Sequence, residues 1–384
     1  MDGAVEADAV VPCGDGSTPP TQSFSLSAWP ALTAATATDW TAMSGVTTTS
    51  VSGQPAGVVV SPDGGWVFAA LANGELGCLK RTGAALTFDH GISVTTGETP
   101  FGLAKSPDGT MLAMSLSDEI ALFDVAQAEA NTSGALLGYV TTMSVMKTSI
   151  DVTFSSDGAF AFVALEYDEE VAVVNITQKT YVGAIPIAGN AVTSVVLSPD
   201  GKTLYVTDEE AKEFAAANPS PAQDQIVGNV NVIDVATAET SPATAVVGRA
   251  FVGRAPVRAR VSADGSTLWV TARGSNALLA LDTQNLLSTT CNPLLSMTAV
   301  GPAPVGLAIL DGGKVVAVAD SNRFLEPTMD QTVMFVGVSS ASVLGQVTVG
   351  AFPREIDADT SDLFVSNYDS ESVSGMVLGQ LPLP

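Results

Sequence analysis

Residues 58–68 read Val-Val-Val-Ser-Pro-Asp-Gly-Gly-Trp-Val-Phe, two apolar runs separated by the tetrapeptide Ser61-Pro62-Asp63-Gly64. Proline fixes φ at the first turn position, aspartate accepts hydrogen bonds from the turn backbone, and glycine takes a positive φ without steric cost. Short apolar runs bounded by such a turn are typical of buried strands. The segment therefore predicts a β-hairpin.

The same turn recurs along the chain. Neighbouring copies are separated by 43 residues, from Gly158 to Gly201, up to 64 residues, from Gly201 to Gly265. Four short strands with their turns need about 40–50 residues, so each copy marks one propeller blade. Seven copies predict an all-β fold, a seven-bladed β-propeller of four-stranded blades. The further copies are Ser106-Pro107-Asp108-Gly109, Ser155-Ser156-Asp157-Gly158, Ser198-Pro199-Asp200-Gly201 and Ser262-Ala263-Asp264-Gly265, with degenerate ones at Asp311-Gly312-Gly313 and Asp359-Thr360-Ser361-Asp362.

The two ends of the repeat region are predicted to share a blade. The last copy has only three recognisable strands, while residues 46–51 form a spare strand ahead of the first copy. An N-terminal strand that completes the last blade would close the ring and hide its edges. We expect one propeller domain over residues 23–384 and a disordered or loosely draped arm over residues 1–22.

Composition narrows the classes of partner. Hydrophobic residues make up 46% and charged residues 14% of the chain, which excludes disorder for most of it. The 40 acidic and 15 basic residues give a net charge of −25, which disfavours nucleic acid and anionic membranes. No apolar run reaches the roughly 18 residues of a membrane-spanning helix. A basic protein, a cationic ligand or a metal ion fits this charge; the alternative is that acidity only keeps a monomer soluble.

The termini and cysteines suggest an exported protein. Met1-Asp2-Gly3 opens directly into an acidic segment, so it resembles a mature N-terminus with an added Met. We therefore expect an extracellular or otherwise extracytoplasmic location, with the export signal removed. Cys13 and Cys291 lie in irregular stretches and are candidates for a disulfide between arm and ring, a pairing that the sequence leaves open. Cys78 lies in an apolar run and is expected to pack as a small hydrophobe.

The repeats resemble a known family. Besides the Ser-Pro-Asp-Gly turns, residues 269–282, 303–307 and 320–324 resemble YVTN-type repeats of lactonase-like seven-bladed propellers, which include 6-phosphogluconolactonase-like and carboxymuconate-cyclase-like proteins. The likeness covers residues 46–380. It implies the propeller fold and an enzyme site of His, Arg and Glu near the central cavity. The only histidine, His90, lies in a predicted outer strand, so histidine catalysis at the centre is not expected.

The loops opposite the Ser-Pro-Asp-Gly turns are acidic. Crowded carboxylates favour a bound cation or raised pKa values, so Ca²⁺ is a candidate ligand; the alternative is a solvated acidic rim. No other cofactor is indicated. These loops carry Asp118, Glu119, Glu166, Asp168, Glu169, Glu170, Asp208, Glu209, Glu210, Asp320, Asp330, Asp369 and Glu371. The predicted ligand-binding residues on this face are Glu166, Asp168, Asp208, Arg273, Asp320, Arg323 and Asn367.

A second set lies where the innermost strands begin. Six residues before each turn aspartate stand Gly57, Gly102, Asp151, Ser194, Arg258 and Gly306, with Arg354 and Glu355 in the shortened last copy. Arg258 and Arg354 would hold a carboxylate or enolate, with Glu355 or Asp151 as acid or base. The alternative is that these four side chains pair with each other across the channel.

Two insertions lengthen loops of the acidic face. Residues 209–221 predict a short helix that ends before Pro219, and residues 322–329 form a second long loop. Both could serve as a lid or a docking surface, and the alternative is surface decoration.

Three hypotheses for the function follow. The first hypothesis is non-catalytic binding of a small molecule or protein on the acidic face. The second is a lactonase, cyclase or isomerase at the channel mouth, acting on a small carboxylate or lactone. The third is an extracellular scaffold.

Overall fold

A computed structural model describes residues 26–94, 99–217, 222, 225–287, 292–324 and 331–384. The predicted arm over residues 1–22 and the candidate pair Cys13 and Cys291 lie outside this part, as does Asp330. Cys78 is described and is buried as a free thiol.

The described strands form seven antiparallel sheets of four strands, arranged as blades of a ring, which confirms the predicted seven-bladed propeller. Contacts between innermost strands run from each blade to the next and from the seventh back to the first. β1 (Thr47–Ser50) precedes the first blade. The blades, from inner to outer strand, are blade 1, β2 (Pro55–Val60), β3 (Trp66–Leu71), β4 (Glu75–Thr82) and β5 (Ala85–Ser93); blade 2, β6 (Leu103–Lys105), β7 (Met111–Ser115), β8 (Glu119–Asp124) and β9 (Leu136–Thr141); blade 3, β10 (Ser149–Phe154), β11 (Phe160–Leu165), β12 (Glu170–Asn175) and β13 (Thr180–Pro186); blade 4, β14 (Val192–Leu197), β15 (Thr203–Asp208), β16 (Val227–Asp234) and β17 (Val246–Arg254); blade 5, β18 (Pro256–Val261), β19 (Thr267–Ala272), β20 (Ala277–Asp282) and β21 (Leu294–Ala299); blade 6, β22 (Pro304–Leu310), β23 (Val315–Asp320), β24 (Thr332–Gly337) and β25 (Ser342–Thr348); and blade 7, β26 (Pro353–Ala358), β27 (Asp362–Asn367) and β28 (Ser372–Val377).

Helices in the described part are short and lie between strands. The predicted helix of the first insertion is present and ends at Ala217, ahead of Pro219. None of the described helices is long and apolar enough to cross a membrane. The α-helices are α1 (Val125–Glu129), α2 (Lys212–Ala217) and α3 (Val235–Ala238), and the 3₁₀ turns are Pro242–Thr244, Arg273–Ser275, Asn285–Leu287, Asp311–Gly313 and Leu378–Gln380.

The ring closes as the spare N-terminal strand predicts. β1 pairs antiparallel with β28, so that Thr48 faces Ser374 and their hydroxyl oxygens are 2.9 Å apart. β1 thus supplies the fourth strand of blade 7. This leaves no open edge between the first and last blades.

The Ser-Pro-Asp-Gly turns have the geometry that their residues dictate. Asp63 accepts hydrogen bonds from the Ser61 hydroxyl at 2.6 Å and from the Gly65 amide at 2.9 Å. Gly64 has a φ of 71°, which glycine adopts at no steric cost. We call the side with these turns the bottom face. The top face carries the loops from second to third strand and from one blade to the next.

The core lies between neighbouring blades. The second strands are almost wholly buried, since each is covered by a blade on either side; Phe162 and Phe364 are 0% exposed. One cluster of buried side chains, for example, joins Leu122 of blade 2 to Phe154 and Val163 of blade 3. Such packing makes the ring rigid, and a rigid ring holds the residues around its axis in fixed positions.

Candidate functional site

A cavity of about 210 Å³ opens on the top face at the mouth of the central channel. Its wall combines apolar, aromatic and charged side chains from five of the blades, blades 3 to 7, together with the residue that leads into β6 of blade 2. Ligand sites of folded proteins are usually concave, and convergent polar and charged groups give them specificity. The lining residues are Phe101, Ile150, Glu166, Tyr167, Thr193, Glu209, Val257, Arg258, Arg273, Val305, Arg323, Phe352 and Arg354.

The largest share of the wall, six of its thirteen residues, comes from one repeated position, which we call the axial ring. It is the residue that the pairing of the first strand with the second skips. Ala56, for example, lies between the pairs Pro55–Leu71 and Gly57–Ala70, and Arg354 lies between the pairs Pro353–Asn367 and Glu355–Ser366. Arg354 is the only charged member of this ring. Its members, from blade 1 to blade 7, are Ala56, Phe101, Ile150, Thr193, Val257, Val305 and Arg354.

Arg354 is held by aromatic rings. Its guanidinium carbon lies 5.3 Å from the centre of the Phe101 ring and 5.4 Å from that of Tyr368. Among the described residues, no carboxylate forms an ion pair with it. Burial and, to a lesser extent, nearby Arg258 lower the pKa of Arg354 to about 10, so it still carries its charge at neutral pH.

Phe352 completes this aromatic surround. Its ring meets the Tyr368 ring edge-on at 5.7 Å between centres. Its backbone has a φ of 53°, in the left-handed region that bulky side chains rarely adopt. Such a conformation costs on the order of 1–3 kcal/mol and persists only where its surroundings enforce it. Here it places an aromatic side chain on the cavity wall.

A second repeated position lies above the axial ring, and we call it the upper ring. It is the residue after the second strand of each blade; in blade 4, for instance, the Glu209 amide donates to the Ala191 carbonyl at 2.9 Å. Arg273 donates to the Glu209 carboxylate at 2.7 Å, so these two charges neutralise each other. The Arg273 Nε atom is buried and has no hydrogen-bond partner among the described residues. The members of the upper ring are Ala72, Ser117, Glu166, Glu209, Arg273, Ser321 and Tyr368; in blade 2, Ser117 is the second residue after β7, which ends at Ser115.

Glu166 is the acidic member of the upper ring without an ion pair to any described residue. Desolvation and, next, the charge of Glu209 raise the pKa of Glu166, while a hydrogen bond from the Tyr167 hydroxyl and the charge of Arg354 oppose that rise. Its carboxyl group is therefore poised to accept a positive partner.

The structure places only two of the four predicted catalytic residues on the cavity wall. Arg258 and Arg354 line the cavity, whereas Glu355 and Asp151 do not. Arg258 is 3% exposed and forms an ion pair with Glu355. Asp151 accepts a hydrogen bond from the Val195 amide at 3.1 Å, and burial raises the pKa of Asp151.

The residues predicted to bind ligand on the acidic face divide in the same way. Glu166, Arg273 and Arg323 line the cavity. Asp168 instead organises a loop, since it accepts hydrogen bonds from the Val145 and Met146 amides at 3.1 Å each.

Asp208, Asp320 and Asn367 are 0% exposed and occupy one repeated position, the last residue of the second strand in blades 4, 6 and 7. Each packs against a glycine at which a Cβ atom would collide with it: Gly189, Gly301 and Gly350. Burial raises the pKa of Asp208 and of Asp320 well above the ordinary value for aspartate. These two carboxyl groups belong to the interior and not to the rim of the top face.

Two expectations about the chemistry of the centre can be compared with this geometry. His90 lies on β5, the outermost strand of blade 1, where its Nε2 atom is 2.9 Å from the Ala128 carbonyl oxygen, so it lies away from the cavity. No group of three or more His, Cys, Asp or Glu side chains suited to hold a metal ion occurs in the described part of the chain.

Sequence reasoning missed most of the cavity wall. It selected the aligned position of Gly57 and Arg258, whereas the residue before that position contributes more of the wall than any other, since successive residues of a strand point to opposite sides. A signal was present. Phe101 and Arg354 are the large members of a position otherwise occupied by small or β-branched residues.

Comparisons with known proteins support the fold. No protein family profile matches the sequence, and neither does any curated protein. Among solved structures, the chain is similar to hydrazine synthase from Kuenenia stuttgartiensis, with a TM-score of 0.65 and 16% identity over 85% of this chain and 96% of that one. It is also similar to the β-propeller domain of Cps50 (Swd1) from Myceliophteria thermophila, with a TM-score of 0.65 and 13% identity over 85% of this chain and 97% of that one.

These likenesses establish the propeller. At such low identity they carry no activity, because one fold hosts many functions. The resemblance to lactonase-like propellers therefore rests on the sequence repeats alone.

Proposed function

We propose that this propeller binds a small organic carboxylate in the cavity at the mouth of its channel. The observation that carries the proposal is Arg354, a guanidinium in cation–π contact with Phe101 and with Tyr368 and without an ion pair to any described carboxylate. A guanidinium fork matches the geometry of a carboxylate and binds it through paired hydrogen bonds. The aromatic contacts restrain the fork ahead of binding, which lowers the entropic cost of association.

The charge distribution supports an anionic ligand. The chain has only 15 basic residues in a net charge of −25, yet the four arginines Arg258, Arg273, Arg323 and Arg354 meet at one cavity. Two of these are engaged, Arg258 by Glu355 and Arg273 by Glu209. This cluster of arginines gives an acidic protein a positive patch at the cavity, and a positive patch attracts an anion.

The size of the cavity supports a small ligand. Its volume of about 210 Å³ is close to that of seven water molecules, since one water occupies about 30 Å³ of liquid. A ligand on the order of ten non-hydrogen atoms fits, with its apolar part against Ile150, Val257 and Val305.

A thermal-shift screen of the full chain tests the proposal. Aliphatic and aromatic carboxylates are compared with the alcohols of the same skeleton, which lack the charge. Carboxylates should raise Tm and the alcohols should not, and Arg354→Gln should abolish the shift. Lys202→Gln is the matched control, because it removes one positive charge from an exposed turn on the bottom face. A panel in which alcohols and carboxylates act alike would contradict the proposal.

Catalysis at the same cavity is the second candidate. Its specific support is Glu166, whose pKa is raised mainly by desolvation, because a carboxyl with a raised pKa is suited to general acid–base work. Lactone hydrolysis by the full chain, lost in Glu166→Gln with ligand binding retained, would support it. Carboxylate binding with no turnover of any lactone in the panel would leave the binding function alone.

An extracytoplasmic location and a monomeric state are also proposals. The acidic surface and the scarcity of cysteine fit them, since acidity keeps an exposed protein soluble. Fractionation of the producing cells tests the first, and light scattering of the purified chain tests the second. Recovery from the cytosol, or a stable dimer at micromolar concentration, would overturn the respective proposal.

A further inference from the structure

Acidic and basic side chains lie on different sides of the cavity. The ring order places blade 7, which contributes Arg354, across the channel from blades 3 and 4, which contribute Glu166 and Glu209. The remaining cationic side chains of the wall come from blades 5 and 6, which lie between blade 4 and blade 7. One side of the cavity is therefore basic and the opposite side is acidic.

Each side has charge left without a described ion pair. On the acidic side Glu209 is engaged by Arg273 at 2.7 Å, so Glu166 is the open carboxylate. On the basic side Arg258 is engaged by Glu355, which leaves Arg354, held by its aromatic contacts, and Arg323 of blade 6. Arg354 and Glu166 interact through space but form no ion pair with each other. They thus face one another with the cavity between them.

We propose that the ligand is a zwitterion, with its carboxylate on Arg354 and an ammonium group on Glu166. The inference rests on the proposed function, because it adds a second charge to the carboxylate ligand. A carboxylate alone would leave Glu166 desolvated and unpaired in the complex, and a buried unpaired charge is costly. A ligand with both charges satisfies both ends of the cavity at once.

The raised pKa of Glu166, on the acidic side of the cavity, agrees with an ammonium group as its partner. Desolvation and the neighbouring charge of Glu209 raise the pKa of Glu166, so a positive group beside it relieves an existing penalty. The Tyr167 side chain opposes the rise in the pKa of Glu166. An ammonium group, which has three hydrogens to give, can donate to this carboxylate.

Matched pairs of probes test the inference. We would titrate the full chain with unbranched ω-amino acids from 3-aminopropanoate to 6-aminohexanoate, and with the carboxylates of the same length that lack the amine. At least one amino acid should bind about tenfold or more tightly than its matched carboxylate, because hydrogen bonds to charged groups are the strong ones.

Variants assign the preference to its residue. Glu166→Gln should reduce the ratio of the two affinities to about one and leave the carboxylate affinity unchanged or higher. Glu169→Gln is the control, because it removes a charge from the same loop at a half-exposed side chain that pairs with Lys212. Arg354→Gln should weaken both probes of each pair.

The outcomes separate the inference from the function on which it rests. Equal binding of amino acids and plain carboxylates by the native chain would overturn the zwitterion and leave the carboxylate site standing. A preference that persists in Glu166→Gln would also overturn it. Failure of every probe to bind would overturn the carboxylate site itself, and the inference with it.

Discussion

Arg258 of blade 5 forms its ion pair with Glu355 of blade 7, so the contact passes over the intervening blade. Blade 6 has Gly306 at the equivalent position, which lets its first strand approach the Arg354 and Glu355 backbone closely. Arg258 also donates to the Thr193 carbonyl of blade 4. One buried guanidinium therefore connects three blades beneath the cavity and supports its floor.

Breaking this ion pair should be costly. Both partners are shielded, with side-chain exposures of 4% for Arg258 and 12% for Glu355. Glu355→Gln or Arg258→Met should each lower the free energy of unfolding by about 3 kcal/mol, since a buried charge is left uncompensated. The double variant should lose less than the sum of the two. Urea denaturation of the four proteins measures this, and additive losses would argue against a coupled pair.

Gly306 should not tolerate even a methyl group. A Cβ atom there would lie 2.5 Å from the Arg354 carbonyl oxygen and 2.9 Å from the Glu355 Cα atom, both backbone. Gly306→Ala should therefore destabilise the ring by about 1–3 kcal/mol, the usual cost of overpacking. Gly379→Ala is the control, because no heavy atom lies within 4 Å of its Cβ position. If both variants melt alike, the two strands approach less closely than described.

Asp208 and Asp320 should make stability fall as pH rises. Burial raises the pKa of both carboxyls well above the ordinary value, so the folded chain binds protons that the unfolded chain releases. Their contribution is complete below the unfolded pKa of about 3.9 and is lost as pH rises through the folded pKa. Asp208→Asn or Asp320→Asn should flatten this decline, as Asn already occupies the equivalent position 367.

Asp264→Asn should change the pH dependence of stability in the opposite direction. Hydrogen bonds from the Ser262 hydroxyl and the Ser266 amide lower the pKa of Asp264 to about 2. Its contribution is present above the unfolded pKa and is lost as pH falls through the folded value. Urea midpoints measured from pH 2 to pH 9 distinguish the variants. Parallel pH profiles for Asp208→Asn and the native chain would show that Asp208 is ionised in the fold.

Trp40 should be a large contributor to stability although it lies outside every blade. It is 5% exposed, its ring centre is 5.7 Å from that of Phe335, and its amide donates to the Gln346 carbonyl at 2.7 Å. Trp40→Ala should cost about 3–5 kcal/mol, the range for truncating a buried aromatic residue, and Trp40→Phe distinctly less. A loss below about 1 kcal/mol in chemical denaturation would mean that this segment is only loosely attached.

The parts of the fold that local chemistry determines were predictable. The turn at Asp63 and Gly64 needs only its own residues, and blade size follows from the spacing of its copies. Ring closure by residues 46–51 was predictable because the last copy lacks one strand. The packing of Trp29 and Trp40 against the blades was not, because the segment around them has no strand period.

The site was predictable only in part, for physical reasons. Asp208 and Asp320 were expected as ligand-binding residues in the acidic loops of the top face. The structure buries them, since glycines about 20 residues distant in sequence, Gly189 and Gly301, leave room for their carboxyls. Such a match between distant positions has no local signature. The pairing of Arg258 with Glu355 is likewise set by the ring and not by the repeat.

The central claim is that Arg354 makes this cavity a carboxylate site. Isothermal titration calorimetry with the best carboxylate from the screen, on the native chain, Arg354→Gln and Lys202→Gln, tests it most directly. The account predicts one site per chain, a loss of about thirtyfold or more in affinity for Arg354→Gln, and no change for Lys202→Gln, because a charge-assisted hydrogen bond in a desolvated site is worth at least about 2 kcal/mol. Equal affinity in the native chain and Arg354→Gln would contradict it.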